Sequence, residues 1–371
     1  MGTKRQRGSK YDIPDKAHIV RDYGTMQDIA AKFASGGIKL LVILGGPGKG
    51  KGQIVKRAMD AAAPKSQDDF AAMLQRSLDN TLARLAPDGT PLTPQAPVNA
   101  GRGLYVKGHI KPIVFHIRAY QHRDAPICID DADSFFANPH LRETTKHISE
   151  TDQYKLLAHG TLANQLVEQG VPQEFYTTSP VCLIRNVWDS TDAITEAIES
   201  RAIIVYFDPT WHEAYRYIGT WFWDQAIFDY LLDKLPLLKT VDIRILKNAY
   251  DLKVSDIPGL PWQAEIDRHI ADPSYLLMAE FLRRPFQRKE DRIDAWIAAV
   301  NASDPTASAS RPTWHRKRKE VEALGAARPA RILLSRTRPA HEERPFDSPV
   351  ASGLNLETMR QTDGEDEQDD E

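Results

Sequence analysis

Gly45, Gly50 and Lys51 satisfy the spacing G-x-x-x-x-G-K, in which backbone N–H groups wrap phosphates and the lysine ammonium reaches the β- and γ-oxygens. Gly46, Pro47, Gly48, Lys49, Gly52 and Gln53 complete the set of residues that would line such a ligand. Only Lys51 fits the spacing. With Lys49 as the phosphate lysine, Ile43 would stand where the first glycine must be, so Lys49 reads as an extra cation on the loop. Farther along, the apolar run from Ala125 ends in adjacent carboxylates, Asp130 and Asp131. Opposite a phosphate loop, Asp130 is placed to hold Mg²⁺ through its waters and Asp131 to polarise an attacking water. The chemistry implied is handling of a magnesium-bound nucleoside triphosphate.

Two residues depart from the usual pattern. Gly52 stands where a Ser or Thr hydroxyl normally meets the metal, and an additional water could fill that place because magnesium keeps several waters in most nucleotide sites. A glycine there also weakens the first turn of the following helix by about 1 kcal/mol. Asp131 is one methylene shorter than the glutamate that many such sites use. Both departures touch the metal and the water, which hydrolysis needs more than binding does.

These groups require particular elements beneath them. Lys39 to Leu44 is a short apolar run bounded by glycines, as expected of a central parallel strand covered on both faces. Gln53 to Ala63 reads as the helix whose N-terminus points at the phosphates, its dipole favouring negative charge, and Pro64 ends it. Upstream, Met26, Ile29, Ala30 and Phe33 repeat at helical spacing from Asp22 on, and His18 to Val20 is a candidate for contacts to a base. Downstream the pattern predicts a helix over 67–85, a proline-rich loop over 86–101, a strand over 104–110 and a helix over 112–121. A strand over 154–159 and a helix near 162–167 follow. Ser179 to Trp188 is a buried strand tipped by Arg185 and Asn186, an amide that could position water or simply end a strand. A helix over 192–200, Arg201 and an apolar strand over 202–207 come next.

Composition bounds the rest. At 371 residues with 42% hydrophobic content the chain can hold two domains plus tails. No apolar run is long enough to span a bilayer and the N-terminal residues contain no apolar signal core, so no membrane association and a cytoplasmic location are expected. Cys128 and Cys182 lie in apolar strand-like runs without zinc-ligand spacing, as small buried hydrophobes in a reducing compartment. The net charge of −3 does not point to nucleic acid, but its distribution is uneven. Residues 1–17 form a basic arm with Lys4, Arg5, Arg7 and Lys10. Residues 18–209 read as an α/β nucleotide domain with an insertion at 64–101, residues 210–300 as a small all-helical domain rich in aromatics, and residues 301–371 as a disordered tail, basic and then acidic. That tail could solubilise the chain, or its opposite charge blocks could mask a nucleic-acid-binding stretch.

Taken together, the phosphate loop, acidic strand end, Asn-tipped strand, Ser200-Arg201 before the last strand and helical lid resemble the AAA+ ATPases. The likeness is to the bacterial and phage type allied to clamp loaders, replication initiators and helicase loaders, over residues 18 to about 270. It implies a P-loop parallel sheet of order 5-1-4-3-2 with helices on both faces, which would set Cys128 and Cys182 on neighbouring strands. It further implies Asn186 as the sensor asparagine, Arg201 as an arginine finger acting on a neighbouring subunit's nucleotide, and Arg244 as the lid arginine that reaches back to the γ-phosphate. ATP and Mg²⁺ are the implied cofactors, a homo-oligomer the implied assembly, and DNA or a DNA-bound protein the implied partner. Set against an ATP-hydrolysing remodeller are a non-hydrolysing nucleotide switch, motivated by Gly52 and Asp131, and a small-molecule kinase, for which no acceptor motif stands out.

Overall fold

Asp22 ends one element and starts the next: its carboxylate accepts from Thr25 N at 2.7 Å, capping helix α1 (Tyr23–Ala34) directly after strand β1 (His18–Val20). The computed structural model describes residues 13–82, 99, 101–131, 133–152, 154–160, 164–188, 193–270, 272–303 and 309–324. The basic arm over its first twelve residues, most of the proline-rich loop and the tail beyond residue 324, with its acidic end, lie outside these.

The chain divides into two compact units, Met1–Asp208 and Pro209–Glu371. In the first, β1 and α1 lead to β2 (Leu40–Leu44), α2 (Lys51–Ala62) and α3 (Gln67–Leu82). Then come β3 (Leu104–Lys107), α4 (Pro112–Gln121), β4 (Ile127–Asp130), α5 (Asp133–Ala137) and α6 (Pro139–Ile148). The unit closes with β5 (Lys155–Ala158), α7 (Asn164–Glu168), β6 (Glu174–Thr177), β7 (Val181–Arg185), α8 (Ala193–Glu199) and β8 (Ile203–Phe207).

Six strands form one parallel sheet in the order β1-β8-β2-β7-β4-β3. From β8 to β3 this is the order 5-1-4-3-2 expected above, with β1 added at the edge. Every residue of the central strand β2 is buried, which requires cover on both faces, whereas the edge strands β1 and β3 keep exposed residues. Cys128 pairs in register with Cys182, both buried and reduced, and burial pushes the Cys128 thiol well above its ordinary range.

Sequence periodicity does not resolve α5, α6 or β6. The last pairs antiparallel with β5 as a separate two-stranded sheet, with Leu157 opposite Phe175. Four-residue strands with two inward residues each carry too little pattern to read alone. The buried Lys155 sits here, its Nζ donating to Ser179 O at 2.7 Å, and burial lowers its pKa to about 8.

The second unit contains α9 (Trp211–Ile218), α10 (Gln225–Leu232), a short 3₁₀ turn (Leu235–Leu237), α11 (Arg244–Ser255), α12 (Trp262–Asp267), α13 (Pro273–Arg283), α14 (Lys289–Ser303) and α15 (Arg311–Ala323). Its centre is aromatic: Trp223 lies 4.1 Å and Tyr215 4.9 Å from Phe228, and Phe222 meets Tyr250 edge-on. Buried Asp224 caps α10 through Ile227 N and also accepts from Lys253, fastening α11 to α10.

The expectation of an irregular chain from residue 301 on requires correction. Ser310 caps α15 through Thr313 N, Trp314 is buried edge-on against Trp296 of α14, and Val321 is buried as well. Several cations of the basic stretch are engaged in this packing: Lys317 with Asp272 and Ser274, Arg311 with Asp294, Arg318 with Glu322. Two apolar residues seven positions apart among charged neighbours form too narrow a stripe to register as an amphipathic helix.

Trp314→Ala should therefore lower the stability of the second unit by about 3–5 kcal/mol, read by urea denaturation with far-UV circular dichroism; a solvated tail would give no change. At Lys155 the folded state surrenders a proton that the unfolded chain keeps up to its ordinary lysine pKa, so its penalty is complete below about pH 8 and relieved as pH rises through 8–10.5. The stability difference between wild type and Lys155→Met should be flat below pH 8, then shift toward wild type by up to about 3 kcal/mol across that window.

Candidate phosphate and metal site

The loop between β2 and α2 is shaped by backbone constraints before any side chain acts. Gly45 has φ of 145°, and a Cβ there would lie 2.4 Å from Phe207 O, so the chain can leave the sheet beside β8 only through glycine. Gly50 is left-handed at the N-cap of α2, and the helix begins with neither a side-chain cap nor an acidic residue in its first turn. Such an end presents amide N–H groups and the positive pole of the helix to an anion.

Lys51, the first helical residue, is only 6% exposed. Its ammonium donates to Gly45 O at 2.7 Å, Gly46 O at 2.8 Å and Asn186 Oδ1 at 3.1 Å. Asn186 reaches it because β2 and β7 are paired in register through Leu44 and Arg185, which sets the residue after β7 beside the residue after β2. Arg185 itself lies over the Phe136 ring at 4.3 Å. The neutral oxygens that hold Lys51 are weaker acceptors than a phosphate oxygen, and the donor set of lysine and amides fits a triphosphate.

Lys49, expected as an extra loop cation, is tied down. It is 7% exposed and forms a 2.5 Å ion pair with Asp208, the residue after β8. Tyr23 donates from its hydroxyl to Lys49 O and packs edge-on against Phe207, so α1 braces the loop. Asp208 carries no sequence signal as the lysine's partner; the parallel pairing of β8 with β2 brings it there.

Asp130 ends β4, between β3 and β7. Its Oδ1 accepts from Asp131 N at 3.1 Å, and its Oδ2 accepts from the phenol of Tyr105 at 2.6 Å. A Cβ on Gly52 would lie 2.4 Å from both Asp130 Oδ2 and Tyr105 Oη. The start of α2 thus touches the acidic strand end at the one position where a side chain is lacking, and Lys51 and Asp130 belong to one site. Burial, foremost, holds the Tyr105 hydroxyl far above the ordinary tyrosine range. Sequence reading missed Tyr105, although a tyrosine on the strand beside the acidic one, coupled with glycine in place of Ser or Thr, was the available signal. Asp131 follows in a left-handed conformation with φ of 59° and is exposed. No group of three or more His, Cys, Asp or Glu side chains among the described residues could itself enclose a metal, so magnesium here would depend on Asp130 together with phosphate oxygens and waters.

The remaining candidates have partners of their own or are exposed. Arg201 is exposed just past the C-terminal end of α8, and Ser200 Oγ donates to Ala197 O. Arg244 begins α11 in the second unit, where Asp242 takes it in a fork at 2.9 and 2.7 Å. With the arginine 63% exposed, that pair contributes about 1 kcal/mol and its guanidinium can exchange Asp242 for another anion. His18 and Ile19 are exposed on the edge strand.

No family model and no curated protein matches the sequence. Solved structures similar to this chain include the ORC2 protein of Aeropyrum pernix in ADPNP-ADP complexes, at 11% identity over 94% of this chain and 98% of that one, TM-score 0.32. NtrX from Brucella abortus in complex with ADP is 12% identical over 91% of this chain and 66% of its own, TM-score 0.39. The DNA clamp loader delta protein of Bacillus subtilis is 10% identical over 91% and 90%, TM-score 0.25. Scores this low leave the functional reading to the residues themselves. Among the described residues no helix is long and apolar enough to cross a membrane.

The Lys49–Asp208 pair offers a test of the loop's construction. Asp208→Asn removes the half-exposed counter-ion of a buried ammonium and should cost about 1–2 kcal/mol of thermodynamic stability, whereas Lys49→Met removes the charge itself and should cost less. Equal losses, measured by denaturant titration, would show that the pair is not what holds the loop.

Proposed function

We propose that this chain is an ATP-binding ATPase of the AAA+ type. In this reading it acts as a homo-oligomer and couples ATP binding and hydrolysis to the remodelling of DNA or a DNA-bound protein. The observation that carries the reading is the meeting of three elements at one point: the buried Lys51 ammonium held by Asn186, the uncapped start of α2, and the Asp130 carboxylate against Gly52.

Roles follow from chemistry and position. Lys51 and the amide N–H groups of residues 48–53 would bind the β- and γ-phosphates, while Lys49 keeps the loop in shape through Asp208. Asp130 would hold Mg²⁺, which when bound neutralises phosphate charge. Asp131 would orient the attacking water, and Asn186, already aimed at the phosphate lysine, would fix the γ-phosphate side. The exposed Arg201 suits action on a neighbouring subunit's nucleotide, where charge develops in transfer, and Arg244 suits the same task from the second unit once it leaves Asp242.

Gly52 and the exposed, short Asp131 favour a second reading: a nucleotide switch that binds ATP and assembles without turning it over. Binding and turnover separate the two. Lys51→Ala should weaken ATP binding at least tenfold, and Asp131→Asn should keep binding but lower turnover by about 10²-fold or more. Wild-type turnover no higher than that of either variant, with ATP affinity intact, selects the switch. Absence of ATP binding in the wild type overturns both.

A further inference from the structure

Gly52 is the one position in the phosphate loop where the residue type contradicts the expected chemistry, and the structure shows what occupies the space. A side chain at residue 52 would begin 2.4 Å from the Tyr105 hydroxyl and 2.4 Å from Asp130 Oδ2, and the two oxygens are themselves joined by a 2.6 Å hydrogen bond. The backbone at Gly52 does not demand glycine: it lies inside α2, and its φ is not in the left-handed region. Helix propensity disfavours glycine there. Space for the phenol is the remaining reason for it.

Building on the nucleotide-site reading above, we propose that Tyr105 supplies from β3 the hydroxyl that Gly52 lacks, acting as the positioning residue that orients Asp130 and completes the oxygen set around a bound divalent cation. A neutral phenol, like a Ser or Thr hydroxyl, has one O–H to give and lone pairs left over. Its proton is committed to Asp130 Oδ2, and Asp131 N occupies Oδ1, so the carboxylate is oriented from both sides and the phenol oxygen keeps acceptor capacity toward a cation or its water. Lys56, one turn along α2 from Gly52, lies 5.9 Å from the Tyr105 ring centroid, which steadies the aromatic ring from the helix side. The hydroxyl has changed elements, and the residue that would have carried it has shrunk to make room.

The test is the Mg²⁺ dependence of nucleotide affinity, measured with a fluorescent ATP analogue and with ATP as competitor, in EDTA and across a magnesium titration. Wild type, Tyr105→Phe, Gly52→Ser and the double variant are compared, with each protein's melting temperature recorded in the same conditions. Tyr105→Phe should reduce the enhancement of affinity by magnesium about 10–100-fold while leaving affinity in EDTA within about twofold of wild type. Gly52→Ser alone should lower the melting temperature, because its Cβ meets the phenol and the carboxylate. In the Tyr105→Phe background the same serine should destabilise less and restore part of the magnesium enhancement. An unchanged magnesium titration for Tyr105→Phe, or a wild type that binds nucleotide equally with and without magnesium, overturns the assignment of Tyr105 while the nucleotide site stands. A wild type that binds no nucleotide in either condition overturns the site reading beneath it.

Discussion

A lysine ammonium buried to 6% exposure at the start of a helix is expensive, costing several kcal/mol in desolvation unless oxygens surround it. At Lys51 those oxygens are two loop carbonyls and the Asn186 amide, and meeting the requirement constrains everything around it. The loop must curl so that Gly45 and Gly46 turn their carbonyls inward, which asks for φ of 145° at Gly45. Strands β2 and β7 must be paired in a single register, since a shift of one residue would move Asn186 to the other face of the sheet. The wholly buried β2 supplies the rigidity for this, and the rest of the sheet is built outward from it.

The second constraint is space. Helix α2 begins so close to the end of β4 that residue 52 can carry no side chain while Asp130 and Tyr105 keep their hydrogen bond. A neighbouring strand then contributes a functional group that the phosphate-loop pattern assigns to the loop itself. This is possible because β3 and β4 run parallel and in register, with Tyr105 beside Cys128, so that its long side chain reaches past Val106 and Lys107 to the level of Asp130. A residue of ordinary length at position 105 could not span that rise of two residues, roughly 6–7 Å.

What the sequence made legible and what it did not divide along this line. The glycine spacing, the apolar strands and the acidic strand end are local patterns, and β2, α2, β4 and β7 fall where those patterns put them. Strand order came through resemblance, and the sheet repeats it from β8 to β3. Contacts that depend on register between distant strands left no trace in any one stretch: Tyr105 to Asp130, Lys49 to Asp208 and Asn186 to Lys51 join residues 25, 159 and 135 positions apart. Helix α15 was hidden for another reason. Its charged residues look solvated in isolation, yet Lys317, Arg311 and Arg318 each meet a carboxylate once Trp314 is buried.

The two loop lysines show how similar residues two positions apart acquire opposite roles. Lys49 faces β8 and is paired with Asp208, so its charge holds the loop to the end of β8 and adds little field at the mouth of the site. Lys51 faces the strand tips, where it donates to two loop carbonyls and the Asn186 amide oxygen, and the start of α2 adds positive potential of the same sign. Two like contributions converge on one small volume, and the Asp130 carboxylate sets a negative edge against them. An anion able to satisfy the lysine and the amides while sharing a divalent cation with the carboxylate would neutralise both parts together, and a polyphosphate has that charge distribution. Electrostatics of this kind select the ligand class before any contact to a base is considered.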